Sequence, residues 1–136
     1  GPDGVLALTL PMGDKKLPGV ASEDIGRFAY GLFKAGGEFV GKTVGVAGEH
    51  LTGTQMAASL TKALGQEVRY NYVPPEIYRS FGFPGAEDLG NMFQFHALLG
   101  EEFLRFRSPA TARALHPQVL SFDAWLAANA ERIPIG

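Results

Sequence analysis

The stretch TVGVAGEHLTGTQMAASLTKALGQEVRYNY, residues 43–72, decides the fold of this chain. Near its centre, Thr52 and Gln55 have the T-x-x-Q spacing of a capping box, in which two side chains cap the first turn of a helix. Apolar residues continue through Leu64, and Gly65 follows where a helix commonly stops. The pattern therefore predicts a helix that begins beside Thr52 and stops at Gly65.

Strands are predicted on both sides of this helix. Thr43 to Ala47 has valines on one face and predicts a short strand, and Glu67 to Val73 alternates as a half-buried strand does. Nearer the start, Val5 to Leu10 is a continuous apolar run, which is typical of a strand buried on both faces of a parallel or mixed sheet. This order of elements indicates an α/β fold.

Another helix is predicted between the first strand and this stretch. Asp14 to Gly19 is polar and predicts a loop, and Ser22 is a good N-cap for the helix that follows. Glu23 and Asp24 place negative charge at the positive end of that helix. Gly36-Gly37 ends it.

The second half of the chain has mostly helical patterns. Pro75 begins a short helix that stops at Gly82, and a longer helix follows Pro84. Phe103 to Arg107 fits either a helix or a short strand, and Ser121 caps a last helix. The apolar face of the longer helix is predicted to consist of Leu89, Met92, Phe93, His96 and Leu99.

These elements together predict a single mixed α/β domain over residues 1–136, with three to four strands and a mostly helical final part. The opening Gly1-Pro2 lacks an initiator methionine and a signal peptide, and it has the form of a scar left by tag removal. We therefore expect the chain to be a piece of a longer protein.

The composition excludes several classes of function. The net charge of −2 leaves no basic surface for nucleic acid, and no apolar stretch approaches the roughly 20 residues of a membrane helix. The chain has no cysteine, which excludes disulfides and thiolate chemistry and fits either a reducing interior or no constraint at all; a cytoplasmic location is expected. Because only 19% of the residues are charged, a sparsely charged face is expected to meet a partner.

Nucleotide-binding motifs are absent from the sequence. No G-x-G-x-x-G occurs. Gly48 and Gly53 have the glycine spacing of a P-loop, but Thr54 stands where a P-loop needs a lysine. The capping box accounts for these residues, so the segment is interpreted as a helix start.

No catalytic or metal-binding constellation is recognisable either. His50, His96 and His116 share no ligand spacing, no G-x-S-x-G nucleophile elbow is present, and Glu87-Asp88 stands where a helix start favours negative charge. For His96, on an apolar helix face, two interpretations stay open. It is a core histidine with a hydrogen-bond partner, or a polar group in a pocket, suited to proton transfer or ligand orientation.

Four segments together resemble the NmrA-like family of atypical short-chain dehydrogenase/reductase proteins. They are LPMGDKKLPGVASEDIG, GKTVGVAGEHLTGTQMAASLTKALGQEVRY, GFPGAEDLGNMFQF and RALHPQVLSFDAWLAAN, and they run in the family's order from about Val5 to Asn129. The most specific is GFPGAEDLGNMFQF, residues 82–95. Members of this family include NADP(H)-binding redox sensors and isomerase-like reductases.

The resemblance implies that the chain is the C-terminal, substrate-binding lobe of such a protein. In the family, an N-terminal Rossmann half supplies the glycine-rich loop and most contacts to NADP(H), and the smaller lobe covers the cleft. Ser22 to Gly26 is similar to the segment that packs near the cofactor domain. The chain alone is then expected to bind no cofactor and to catalyse no hydride transfer, because the cofactor half supplies that chemistry.

The resemblance also implies which residues contact a substrate. The segment matching Phe83 to Leu99 faces the nicotinamide end of the family's cleft. Phe83, Met92, Phe93 and His96 are therefore predicted to contact the small-molecule ligand of the complete protein. No catalytic residue, cofactor contact or metal ligand is predicted in this chain.

A different class of function stays open, namely a free-standing interaction module whose aromatic face binds another protein or a second copy of the chain. Because the first strands would extend the sheet of a Rossmann half, the isolated lobe is expected to expose a strand edge. We therefore predict that the chain dimerises or swaps domains in crystals. A small independent enzyme is the least favoured alternative.

Overall fold

The computed structural model describes residues 3–135, which form the predicted mixed α/β unit with a mostly helical final part. The strands in that range are β1 (Leu6–Leu10), β2 (Lys16–Gly19), β3 (Glu49–Thr52) and β4 (Val68–Tyr72). The α-helices are α1 (Ser22–Ala35), α2 (Gly53–Leu64), α3 (Pro75–Arg79), α4 (Ala86–Leu98), α5 (Gly100–Phe106), α6 (Pro109–Leu115) and α7 (Phe122–Asn129). Short 3-10 turns, Gly36–Phe39 and Ala130–Arg132, follow α1 and α7.

The strands β1 and β4 form a parallel two-stranded sheet in which Leu6 pairs with Val68. The hydroxyl of Thr61 on α2 accepts the backbone N–H of Val68 over 2.9 Å and so ties the helix to the sheet. Within residues 3–135 no further strand pairs with β1 or β4, so the sheet has the open edges that were expected. β1 is partly buried rather than buried on both faces, because so small a sheet is incompletely covered.

The strands β2 and β3 form a second, antiparallel sheet. Two predictions fail here. Asp14 to Gly19, predicted as a loop, contains β2, and Thr43 to Ala47, predicted as a strand, forms none. The latter segment packs against α5 instead, where Gly45 lies too close to the carbonyl of Phe106 to admit a side chain. Strand formation depends here on pairing between distant segments, which a local pattern does not record.

The start of α2 has the predicted capping box. The Gln55 N–H donates to the Thr52 hydroxyl over 3.2 Å, and the Thr52 N–H donates to the Gln55 side-chain oxygen over 2.9 Å. The helix ends where predicted, with Gly65 in the left-handed conformation at φ 68°. The P-loop-like glycine spacing therefore belongs to a helix start.

The start of α1 differs from its prediction. Ala21 is the N-cap residue and Ser22 is already helical, so capping by the Ser22 side chain is wrong. The N–H of Asp24 donates instead to the Ala21 carbonyl over 2.9 Å. Glu23 and Asp24 do lie in the first turn, and the helix ends at Gly36 as predicted.

The helices α3 and α4 pack together around an aromatic cluster. The buried ring of Tyr78 lies 5.5 Å from those of Phe81 and Phe93 and 5.7 Å from that of Phe83. Met12 joins Tyr78 and Phe93 in the hydrophobic core. The aromatic residues of this region therefore serve first to attach α4 to the rest of the chain.

Much of the predicted apolar face of α4 is exposed. Phe93 is buried, whereas Leu89, Met92 and Leu99 are exposed. Gly90 is buried against the side chain of Arg79, so α4 contacts α3 mainly through small residues and Phe93. The periodicity located the helix correctly, but it did not show how much of the apolar face is covered.

The last part of the described chain contains the helices α5, α6 and α7. Phe103 lies in α5, so the short-strand alternative for that segment is wrong. Ser121 caps α7 as predicted, since its hydroxyl accepts the Ala124 N–H over 3.1 Å. Leu126 is the buried residue of that helix. Among the helices of residues 3–135, none is long and apolar enough to cross a membrane.

Candidate functional site

A cleft of about 420 Å³ lies between the β2–β3 sheet and the starts of α1 and α7. Small-molecule sites usually have volumes of roughly 300–1,000 Å³ and mostly apolar walls. The walls of this cleft are also mostly apolar. The residues that line it are Leu17, Gly19, Val20, Ala21, Ser22, Glu49, Leu51, Met56, Leu120, Ser121, Phe122 and Trp125.

The antiparallel sheet supplies one wall of the cleft. Leu17 on β2 is paired with Leu51 on β3, and Gly19 is paired with Glu49. Directly opposite residues of an antiparallel pair share a face of the sheet, so both pairs contribute to the same lining. Met56, on the first turns of α2, extends this wall.

The start of α7 supplies a second wall. The rings of Phe122 and Trp125 are nearly parallel, with an interplanar angle of 9° and 6.5 Å between centroids. Trp125 is the only tryptophan of the chain and is half-buried. The cleft is therefore lined on this side by two stacked aromatic rings.

Two carboxylates hold the turn before α7 in place. The N–H of Leu120 donates to Asp24 Oδ2 over 2.8 Å, and the N–H of Phe122 donates to Glu49 Oε2 over 2.7 Å. Gly48 lies against the Leu120 carbonyl, where an added Cβ would be only 2.9 Å away. These contacts join α1, β3 and α7 around the cleft.

Asp24 is fully buried and connects α1 to the turn before α7. Burial alone would raise the pKa of its carboxyl, but the Leu120 N–H, the Arg27 guanidinium and His116 outweigh that effect and lower the pKa below its ordinary value. Arg27 donates to Oδ1 over 2.8 Å, and His116 Nε2 lies 3.3 Å from the same oxygen, in ion-pair range but outside hydrogen-bond geometry. Asp24 is therefore ionised at neutral pH.

The four residues predicted to contact a substrate lie outside this cleft, on and beside α4. Phe83 and Phe93 are brought together by Tyr78, whose ring each contacts edge-on. Met92 is 39% exposed on the helix surface. Phe83 lines a second, more open recess of about 530 Å³ at the start of α4.

His96 matches neither of its two interpretations completely. It is half-buried, and within residues 3–135 its Nδ1 has no hydrogen-bond partner. Its ring lies edge-on to that of Phe103, with 4.3 Å between centroids. Burial, together with the charge of Arg107, lowers the pKa of His96, so the imidazole is neutral at pH 7.

The remaining sequence candidates have structural roles. His50 lies in β3, and its Nε2 is 2.7 Å from the Arg107 carbonyl oxygen. Glu87 and Asp88 occupy the first turn of α4, as predicted. In the part of the chain that the structure describes, no group of three His, Asp or Glu residues could hold a metal ion.

The sequence did not point to the residues that form the cleft. Leu17 fell in a predicted loop, and Glu49 fell outside every predicted strand. Trp125 follows Ser121 in the predicted last helix, and no pattern indicated a ligand there. Leu17 and Leu51 form a wall of the cleft only when β2 and β3 pair.

The chain is similar to the NmrA-like family, whose sequence model matches residues 1–126. A double-mutant form of NmrA superposes with a TM-score of 0.74 at 23% identity, covering 98% of this chain and 48% of the other. A structure of NmrA, described as a negative transcriptional regulator in complex with NADP, gives a TM-score of 0.70 at 20% identity, covering 93% and 44%. A nucleoside-diphosphate-sugar epimerase from Staphylococcus aureus gives 0.71 at 22% identity, covering 89% and 43%.

The chain therefore spans less than half the length of each of these structures. At these identities the likeness establishes the shared fold. The bound NADP is a property of the NmrA protein that was crystallised with it.

Proposed function

The chain belongs to the NmrA-like family, and from this membership we propose that it acts as the substrate-binding lobe of an NADP(H)-binding reductase or redox sensor. The observation that carries the proposal is the apolar cleft, whose volume and lining are typical of small-molecule sites. NADP(H) would be bound mainly by the Rossmann half of the complete protein. The chain alone would then lack hydride chemistry.

The open edges of the β1–β4 sheet support the same proposal. Within residues 3–135, β1 and β4 pair with each other and with no further strand. An open edge favours pairing with a further strand. In the complete protein, a strand of the Rossmann half would take that position.

We further propose that the residues predicted on α4 form a second ligand wall. Phe83 and Met92 are each 39% exposed and are accessible to a ligand. Phe93 is buried against Tyr78 and would hold the wall in place. The imidazole of His96 would be the polar group of this wall, and its buried Nδ1 has no partner among the described residues.

Titration of the chain with NADPH and NADP⁺ is expected to show no binding up to millimolar cofactor, because the chain has no glycine-rich loop for the pyrophosphate. Calorimetry and the fluorescence of Trp125, which lines the cleft, are the measurements. The NmrA protein crystallised with NADP is the positive control. Micromolar binding to this chain would contradict the proposal and direct attention to GEHLTGT, residues 48–54.

A free-standing interaction module is the second candidate, and exposed apolar side chains favour it. Phe33 is 85% exposed, Val40 79% and Leu98 74%. Apolar surface of this kind often marks a protein interface.

Light scattering after size exclusion separates the two candidates. A substrate-binding lobe is expected to be monomeric at micromolar concentration, and dimers or swapped forms should appear only at the concentrations used for crystallisation. A stable micromolar dimer that Phe33→Ser converts to a monomer would favour the interaction module.

A further inference from the structure

The charge on the lining of the cleft is of one sign. Glu49 lines the cleft, and no lysine or arginine is among the described residues that do so. Its Oε2 accepts the N–H of Phe122, and no hydrogen bond within residues 3–135 involves Oε1. One carboxylate oxygen is therefore available to a donor on a ligand.

The two helix starts beside the cleft already carry carboxylates. At α7, Glu49 accepts the Phe122 N–H and the Ser121 hydroxyl accepts the Ala124 N–H. At α1, the first turn carries Glu23 and Asp24, and the buried Asp24 is paired with Arg27. An anionic ligand would meet the like charge of Glu49, which lines the cleft.

The apolar part of the lining suits a flat ring. Trp125 and Phe122 present nearly parallel faces, the paired Leu17 and Leu51 form an aliphatic wall, and the thioether of Met56 contributes a group that packs well against aromatic rings. We propose that the cleft binds a neutral or cationic aromatic small molecule, with its ring against Trp125 and a hydrogen-bond donor directed at Glu49. The proposal rests on the proposed function, since it names the ligand class of the same cleft.

Three probes that share one naphthalene ring test this ligand class. They are 2-naphthylmethylamine, 2-naphthalenemethanol and 2-naphthoate, which carry an ammonium, a hydroxyl and a carboxylate group. The methyl signals of ¹³C-labelled methionine report where each probe binds. The chain has three methionines, of which Met56 lines the cleft, Met92 lies on the predicted α4 wall and Met12 is in the core.

The signal of Met56 is expected to move with the amine and the alcohol. The amine should bind about tenfold more tightly than the naphthoate, because a hydrogen bond between charged groups replaces a repulsion. Equal or tighter binding of the naphthoate would overturn the proposal. So would shifts confined to Met92 or Met12, or no binding of any probe at millimolar concentration.

A pair of variants tests the role of Glu49. Glu49→Gln keeps an oxygen that can accept the Phe122 N–H, and it is expected to abolish the roughly tenfold preference for the amine. Glu76→Gln removes the same charge from an exposed position on α3 and should keep the preference. An unchanged Met12 signal confirms that each variant is folded, and the wild-type probe series remains decisive if one is not.

The ligand class and the proposed lobe can fail separately. Naphthoate preference at Met56 would overturn the ligand class and leave the cofactor titration unaffected. Micromolar NADPH binding that moves the Met56 signal would overturn both, because the cleft would then hold an anionic nucleotide.

Discussion

The Asp24→Ala substitution is expected to lower the free energy of unfolding by about 3 kcal/mol, because it removes a fully buried carboxylate that accepts hydrogen bonds. The N–H of Leu120 would lose its partner, and Arg27 and His116 would lose the charge that they face. Urea unfolding followed by circular dichroism measures the change. The turn before α7 would also lose its hydrogen bond to α1. The affinity of the cleft for the naphthalene probes should therefore fall together with the free energy of unfolding.

A neighbouring substitution provides the control for Asp24. Glu23→Gln changes the same charge in the same helical turn, but Glu23 is exposed, and its effect should stay within about 0.5 kcal/mol. If Asp24→Ala lowers the free energy of unfolding by less than about 1 kcal/mol, the buried carboxylate does not stabilise the contact between α1 and the turn before α7.

Acid titration gives an independent test of the same group. Because the pKa of Asp24 is lowered from its ordinary value of 3.8, the unfolded chain takes up the proton first as the pH falls. The stability that the carboxylate contributes is therefore fully present above that ordinary pKa, and it is lost as the pH falls through the folded-state pKa. Asp24→Asn should remove this part of the acid dependence, whereas Glu23→Gln should keep it.

The Phe28→Ala variant is expected to destabilise the fold by about 3–5 kcal/mol, because it leaves a cavity where a large ring was buried. Phe28 is 2% exposed, and its ring lies edge-on to His116 with 6.0 Å between centroids. The midpoint of urea unfolding should fall while its denaturant dependence is kept, if the transition remains two-state.

Phe33→Ala is the matched control, since it makes the same chemical change in the same helix. Phe33 is 85% exposed, so its loss should alter the unfolding free energy by no more than about 0.5 kcal/mol. Similar destabilisation by the two substitutions would mean that the outer face of α1 is covered, for instance by a second copy of the chain. The pair therefore bears also on the interaction module.

Much of the fold followed from short-range patterns, and the exceptions have a common cause. Helix α2 was predicted at both ends, because the capping box and Gly65 act on residues within one helical turn. The strand β2 was missed, because the strand that pairs with it, β3, lies beyond α1 along the chain. A lysine, a leucine and a proline in sequence are compatible with a loop until that partner is present.

The sequence also predicted only part of what concerns the candidate site. Family membership was recognised from segments such as GFPGAEDLGNMFQF, and the comparisons bear it out. The four residues that the resemblance placed at a ligand remain a proposal, while the cleft lies elsewhere and includes Trp125 and Glu49. No periodicity or spacing brings these two residues together.

By itself the sequence determined the family, the α/β class, the bounds of α2 and the position of β4. These depend on caps, turns and periodicities that operate over a few neighbouring residues. Only the tertiary structure decided which face of α4 is covered and where a cleft forms. The cleft rests on hydrogen bonds from Leu120 to Asp24 and from Phe122 to Glu49, between residues 96 and 73 positions apart, and contacts at such distances exist only once the chain has folded.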